Sequence, residues 1–134
     1  MAVKLSTDQI RAVSTFEQIT KVHVRDCLID NENAYFLIEE GKMGIAIGKN
    51  GTTIKSVSRI LDKNVKIFEY SGTPEGLVKN LIPGLKSVEF TGKGAIVAIP
   101  PSDRSTVIGK NGRNIKAIRE FMERHYQIKN LRLK

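Results

Sequence analysis

The 134-residue sequence has one cysteine, no tryptophan and only 6 % aromatic residues. The lone Cys27 excludes an intrachain disulfide and fits a reducing compartment, so we expect a cytoplasmic protein. The scattered aromatic residues exclude a sheet surface built to stack bases. No apolar run approaches the roughly 20 residues of a membrane helix, and the polar N-terminus does not resemble a signal peptide. We therefore expect no contact with a membrane.

The residue types with which enzymes hold metals or move protons are also sparse. His23 and His125 lie far apart in sequence, and Cys27 has no neighbour with which to share a metal ion. Acidic residues near Asp30 stand at an expected turn, where such side chains are usually solvated. Because no nucleophile, base and orienting group can be assembled, we expect neither an enzyme nor a metal site nor a cofactor.

Acidic residues are fewer than basic ones, and the difference is uneven along the chain. The net charge is +8, which favours a polyanionic partner. Residues 1–72 carry a net charge of +1, whereas residues 73–134 carry +7. Charge alone is also compatible with a surface that is merely soluble, so the function must be inferred from motifs.

A nine-residue segment occurs twice. Residues 47–55 are IGKNGTTIK and residues 108–116 are IGKNGRNIK, which are identical at seven of nine positions at an offset of 61 residues. An apolar run precedes each copy, and an apolar-periodic stretch follows it. This shared context indicates an internal duplication of one structural unit.

The apolar periodicity predicts the same element order in both halves: helix, two strands, short helix, Gly-rich link, longer helix and strand. Ser6 and Gln9 predict a capping box for the first helix, whose apolar face would be Ile10, Val13 and Phe16.

Further signals divide the chain and mark its end. Ser71 to Pro74 is the expected boundary, with Thr73 capping a helix that begins at Pro74. Tyr126, Ile128 and Leu131 predict the last strand.

The repeated Gly-Lys-Asn-Gly opens the longer helix of each half. Glycines permit positive φ and a close approach by a ligand, and unpaired amides at a helix start attract anions. Lys49 and Lys110 add a cation, and apolar side chains such as Ile47 and Ile54 add a wall. Such a strip, basic on one side and apolar on the other, suits single-stranded nucleic acid.

Other interpretations of the loop fit less well. Asn-Gly is a strong hairpin signal, but the flanking residues have helical spacing rather than alternation. The nucleotide-triphosphatase loop is excluded because Gly44 is one residue too close to Gly48, and Asn50 replaces the required hydroxyl. A plain Gly-rich corner between helices would not explain why Lys and Asn recur.

Ile-Gly-Lys-Asn-Gly followed by Ile-Lys at a helix start resembles the GXXG signature of KH domains. The element order resembles the second, prokaryotic KH topology. The resemblance implies an α+β fold of two tandem KH domains, each α-β-β-α-α-β with helices on one face of a three-stranded sheet. We expect them to span residues 1–71 and 72–134.

The tandem arrangement also resembles the archaeal form of the NusA transcription factor family. Bacterial NusA also has an N-terminal polymerase-binding domain and an OB-fold domain, and the resemblance includes neither of them. It implies a role in transcription elongation, termination or antitermination, with RNA polymerase as a candidate partner. Ribosome assembly and RNA processing stay open as alternative roles for the same scaffold.

These inferences give a set of candidate RNA-binding residues in a protein that we expect to be a monomer. They are the two loops, the apolar residues beside them and the cations that follow them: Ile47, Gly48, Lys49, Asn50, Gly51, Ile54, Lys55, Ile108, Gly109, Lys110, Asn111, Gly112, Arg113, Ile115, Lys116 and Arg119.

Overall fold

The structure is a computed structural model that describes residues 5–134. Its contacts divide this part of the chain into two compact units, residues 5–70 and 71–134. The first unit consists of α1 Thr7–Thr20, β1 Val24–Ile29, β2 Asn33–Ile38, α2 Met43–Ile47, α3 Thr52–Leu61 and β3 Asn64–Glu69. The second consists of α4 Pro74–Leu81, β4 Ser87–Thr91, β5 Gly94–Ala98, α5 Arg104–Ile108, α6 Arg113–Tyr126 and β6 Asn130–Leu133.

Each unit contains a three-stranded mixed sheet. In the first, β2 is central, pairing antiparallel with β1 and parallel with β3. In the second, β5 is central, antiparallel to β4 and parallel to β6. The predicted α+β fold with the α-β-β-α-α-β order in each unit is therefore confirmed.

Local side-chain signals set the starts of two helices. The Gln9 amide donates to Ser6 Oγ at 3.2 Å while the Ser6 amide donates to Gln9 Oε1 at 2.9 Å, which completes the predicted capping box. The Gly76 amide donates to Thr73 Oγ1 at 3.1 Å, and Pro74 is the first helical residue. Both predicted caps are present.

The core of the first unit lies between its helices and one face of its sheet. Alternate residues of a strand point to the same face of its sheet. On the face that meets the helices, Phe36 stacks against Phe16 of α1 with 4.3 Å between ring centroids. The buried members of this cluster are Ala12, Phe16, Val22, Val24, Cys27, Ala34, Phe36, Ile38, Ala46 and Val57. Because α1, α2 and α3 all contribute, the GXXG segment between α2 and α3 is anchored at both ends.

The apolar face of α1 differs from the predicted one. Ile10 is 56 % exposed, and the buried positions are Ala12, Phe16 and Thr20. These residues are four apart and share one helix face, whereas the predicted set has a spacing of three. Thr20 fits this face because its hydroxyl donates to the Phe16 carbonyl at 2.8 Å.

The last strand is shorter than predicted. Tyr126 belongs to α6, and only Leu131 of the three predicted residues lies in β6. The helix continues to Tyr126, whose hydroxyl donates to the Ser71 carbonyl at 2.5 Å. It ends at Gln127, a left-handed residue whose amide donates to the Glu123 carbonyl.

Candidate nucleic-acid interface

The two Gly-Lys-Asn-Gly loops have the same backbone conformation. Gly48 has φ 79° and ψ 169°, and Gly109 has φ 78° and ψ 173°. Asn50 and Asn111 are both left-handed, with φ 57° and ψ of 25° and 26°. The duplicated sequence therefore specifies one conformation twice.

The first glycine of each loop lies against the following helix. A Cβ added to Gly48 would be 2.2 Å from Thr53 Oγ1 and 2.9 Å from the Thr53 amide nitrogen. A Cβ added to Gly109 would be 2.6 Å from the Asn114 Cβ and 3.0 Å from its amide nitrogen. Both glycines also have a φ,ψ combination that is essentially restricted to glycine. No other residue fits at this position without moving the helix.

The second glycine has space around it. It is left-handed, with φ 72° at Gly51 and 70° at Gly112, but a Cβ at Gly112 would meet nothing within 4 Å. Its amide closes the turn by donating to the carbonyl of the first glycine at 3.1 Å in both copies. The second glycine is therefore required for its backbone angle rather than for a close contact.

The loop exposes the two side chains between its glycines. Lys49, Asn50, Lys110 and Asn111 are all exposed. Within residues 5–134 none of these four side chains takes part in a hydrogen bond or an ion pair. Each unit thus presents one ammonium and one amide to solvent at the start of a helix, the end that favours anions.

Apolar side chains beside the two loops differ in exposure. Next to the first loop, Ile47 is 37 % exposed and Ile45 is 55 % exposed. Next to the second loop, Ile108 is half-buried and Thr106 occupies the position of Ile45. Apolar surface is therefore concentrated at the first loop.

The apolar residues that follow the loops also differ. Ile54 is half-buried, and its Cγ2 is 4.0 Å from the position of a Cβ on Gly51. Ile115 is only 6 % exposed and packs in the core, so it offers little surface to a ligand.

The candidate cations take different positions. Lys55 leans toward its loop, with Cε 3.8 Å from the position of a Cβ on Gly51. Lys116 is exposed one turn behind the second loop, and Arg113 is half-buried. Arg119 lies two turns from the loop, and its Nε donates to the Leu131 carbonyl at 2.9 Å. Three candidate cations therefore follow the second loop, whereas one, Lys55, follows the first.

Sequence reasoning missed a residue that fixes the second loop. Asn114 Nδ2 donates to the Val107 carbonyl at 2.9 Å, which ties the start of α6 to the end of α5. Its counterpart Thr53 instead places Oγ1 against Gly48. The repeat gave no signal for Asn114 because the equivalent residue of the first copy is Thr53. Ile45 was missed for the same reason, since its equivalent is Thr106.

In the part of the chain that the structure describes, no group of three or more His, Cys, Asp or Glu side chains could hold a metal ion. Over the same residues, no helix is long and apolar enough to cross a membrane.

The chain matches two family models, each described as KH domain. One covers residues 11–72, with the first loop, and the other covers residues 94–129, with the second. The fold and the paired loops thus define a protein of tandem KH domains.

Curated relatives narrow the assignment further. The chain is 35 % identical over 138 residues to the probable transcription termination protein NusA of Halococcus morrhuae, and the match covers 99 % of both chains. It is 31 % identical to the protein of that name in Methanocaldococcus jannaschii, over 98 % of this chain and 75 % of that one. The crystal structure of APE1850 matches with a TM-score of 0.79 at 31 % identity, over 97 % of this chain and 100 % of that one. The chain belongs to the archaeal NusA-like family of tandem KH proteins.

We predict that the two glycines of a loop tolerate alanine unequally. Gly48→Ala should lower the free energy of unfolding by at least about 3 kcal/mol, since it combines a forbidden backbone region with a clash against Thr53. Gly51→Ala should cost only about 1–2 kcal/mol, the usual cost of a left-handed alanine. Denaturant unfolding of both variants measures the difference. Gly109→Ala and Gly112→Ala form the matched pair in the second unit, and equal losses within either pair would contradict the prediction.

Proposed function

We propose that the chain binds single-stranded RNA along its two GXXG loops and acts in transcription elongation or termination. The KH domains and the names of the relatives point to RNA binding in transcription. A KH loop clamps the backbone of about four nucleotides. We also propose the domain limits 1–71 and 72–134, a monomeric state, a cytoplasmic location and no enzymatic activity.

The observation that carries the proposal is the exposed Lys-Asn pair held twice in one backbone conformation. Because Gly51 and Gly112 lack side chains, and a Cβ at Gly112 would meet no protein atom within 4 Å, a nucleic-acid backbone can approach each turn closely. Lys49 and Lys110 then supply charge to phosphates, and Asn50 and Asn111 supply both donors and acceptors. The exposed Ile45 and Ile47 give unstacked bases an apolar contact at the first loop.

RNA polymerase is the candidate protein partner for the role in transcription. We expect a tagged chain expressed in an archaeal host to retain RNA polymerase in a pull-down after nuclease treatment. We do not expect it to co-sediment with ribosomal particles. The reverse pattern would support ribosome assembly or RNA processing in place of transcription, with RNA binding retained.

The protein should discriminate between single and double strands. We expect a labelled single strand of about ten nucleotides to bind more tightly than its duplex, because the apolar contacts require unstacked bases. Side-by-side titrations at one salt concentration measure the ratio. Equal affinities would mean that only non-specific charge attracts RNA.

Binding should depend on both loops, whereas stability should not depend on their exposed side chains. Replacing Lys49 and Asn50 by Asp, or Lys110 and Asn111 by Asp, places two negative charges where a phosphate would lie. Because the side chains are exposed and Asp tolerates the left-handed position, the free energy of unfolding should change by no more than about 0.5 kcal/mol. RNA titration and denaturant unfolding test the two halves of the prediction. If the RNA affinity is unchanged in both variants, the loops are only turns that connect helices and do not bind RNA.

A further inference from the structure

Each loop contains an asparagine that is followed directly by a glycine. Of the eight asparagines of the chain, only Asn50 and Asn111 precede a glycine, and both are exposed. The other six precede Glu, Ala, Val, Leu or Ile. The backbone nitrogen that follows an asparagine can attack the side-chain amide, and glycine hinders this attack least because it has no side chain. Asn50 and Asn111 are therefore the asparagines whose sequence most favours deamidation.

Deamidation at such a site requires only water. The glycine nitrogen forms a bond to the asparagine Cγ and closes a cyclic imide, and the side-chain nitrogen leaves as ammonia with the proton of the backbone N–H. Water then opens the imide at one of its two carbonyls, which yields aspartate or, with one more carbon in the main chain, isoaspartate. One water is consumed, one ammonia is released, and an amide becomes a carboxylate.

The folded turn holds the reacting atoms apart. The attacking nitrogen is engaged, because the amide of the second loop glycine donates to the carbonyl of the first at 3.1 Å in both copies. Closing the imide requires that nitrogen to eclipse the Cβ of the asparagine. The left-handed ψ of 25° at Asn50 and 26° at Asn111 turns the nitrogen well away from Cβ. The reaction must therefore pass through an opened loop, and local opening controls its rate.

A threonine hydroxyl stabilises the closed form of the first turn. Thr52 Oγ1 donates to the Lys49 carbonyl at 2.9 Å, and this bond spans the Asn-Gly peptide. Rotating Asn50 toward the reactive ψ moves Thr52 away from Lys49, so the bond opposes opening. In the second loop Arg113 takes the place of Thr52, and it has no hydroxyl to make the same bond. The two turns thus share a backbone conformation but are stabilised by different side chains.

The product of the reaction would lie where a phosphate is expected to bind. A carboxylate at the start of a helix is stabilised there, and aspartate tolerates the left-handed backbone. An ionised carboxylate only accepts hydrogen bonds, whereas the amide of asparagine also donates them. Deamidation to aspartate therefore leaves the fold intact while it replaces a donor for phosphate by a charge that repels phosphate. Isoaspartate also lengthens the main chain within the turn.

We propose that Asn50 and Asn111 are sites of spontaneous deamidation, controlled by opening of the loop turn, and that the carboxylate formed there lowers the affinity of the loop for single-stranded RNA. The chemistry is independent of the proposed function, and only its effect on RNA rests on that function. A ligand stabilises the state that binds it, so RNA held by the closed loop should slow the reaction. Copies of the protein that stay without RNA would then lose their loop sites first.

The first test follows both sites by peptide mass spectrometry while the full-length chain is incubated at mildly alkaline pH, below its thermal midpoint. In denaturant Asn50 and Asn111 should react at the same rate, because both stand in Lys-Asn-Gly, and several-fold faster than the other asparagines. In the folded chain both should react more slowly than in denaturant. If neither exceeds the other asparagines in denaturant, or if folding does not slow them, the proposal is wrong.

Thr52→Val tests whether the turn controls the rate, because it removes the hydroxyl and keeps the branched side chain. It should speed the reaction of Asn50 about 2- to 10-fold, which corresponds to the loss of one net hydrogen bond, and leave that of Asn111 unchanged in the same molecule. Ser56→Ala is the matched control, since the Ser56 hydroxyl donates to the Thr52 carbonyl at 3.1 Å, outside the turn.

The thermal midpoint of both variants is measured, so that a general loss of stability is not mistaken for opening of the turn. If Thr52→Val speeds the reaction of Asn50 no more than Ser56→Ala does, the turn does not control deamidation and the proposal is overturned.

RNA titration separates the effect of deamidation from the proposed function. Deamidated chain, isolated by its altered charge, should bind a single strand of about ten nucleotides several-fold more weakly than intact chain, and Asn50→Asp with Asn111→Asp should do the same. Saturating RNA should slow the reaction at both sites.

The variants that replace both Lys and Asn of a loop by Asp complete the comparison. If they lose RNA binding while the deamidated chain keeps it, the loop site stands and the proposed effect of deamidation is refuted. If they and the deamidated chain all bind RNA normally, the proposed function itself fails, whereas the rates measured without RNA still decide the chemistry.

Discussion

The close approach of the first loop glycine to the following helix is the contact on which the binding surface depends. Thr53 lies where a side chain of Gly48 would be, and Asn114 does the same at Gly109. Because no side chain intervenes, α3 can begin five residues after α2 ends. Because the turn is tight, the Lys and Asn side chains point outward into solvent. Exposure of the Lys-Asn pair is thus a steric consequence of the glycine.

The duplication separates what the fold needs from what each unit adds. Sheet order, loop backbone and the first glycine are the same in both units, so they belong to the scaffold. Exposed isoleucines such as Ile45 belong to the first unit, and cations such as Arg119, which has Ser58 at the equivalent position, belong to the second. One backbone plan therefore presents an apolar surface in one copy and a cationic surface in the other. Comparing equivalent positions in the two units therefore shows where the extra positive charge of the second half of the chain lies.

Sequence reasoning was most successful where the signal is local or repeated. The cap at Ser6 depends on residues three apart, and the loops were recognised because they occur twice, with the same φ and ψ in both. It was wrong about Ile10, because periodicity does not show which side of an amphipathic helix meets a partner. It also ended α6 too early, since the bond from Tyr126 to Ser71 joins residues 55 apart. The side chain of Asn114 was missed because its role depends on a carbonyl in another helix. Whether each candidate residue contacts RNA stays a prediction.

The parallel pairing of the last strand in each unit has a consequence for biosynthesis. Parallel neighbours need a long crossover, and in the first unit that crossover runs from β2 through α2 and α3 to β3. The loop therefore lies inside the segment that must fold back before the sheet can close. As the chain leaves the ribosome, β1 and β2 can form a hairpin early, but β3 joins only after residue 69 has emerged. The sheet of the first unit therefore cannot be complete until the loop and both of its flanking helices have been synthesised.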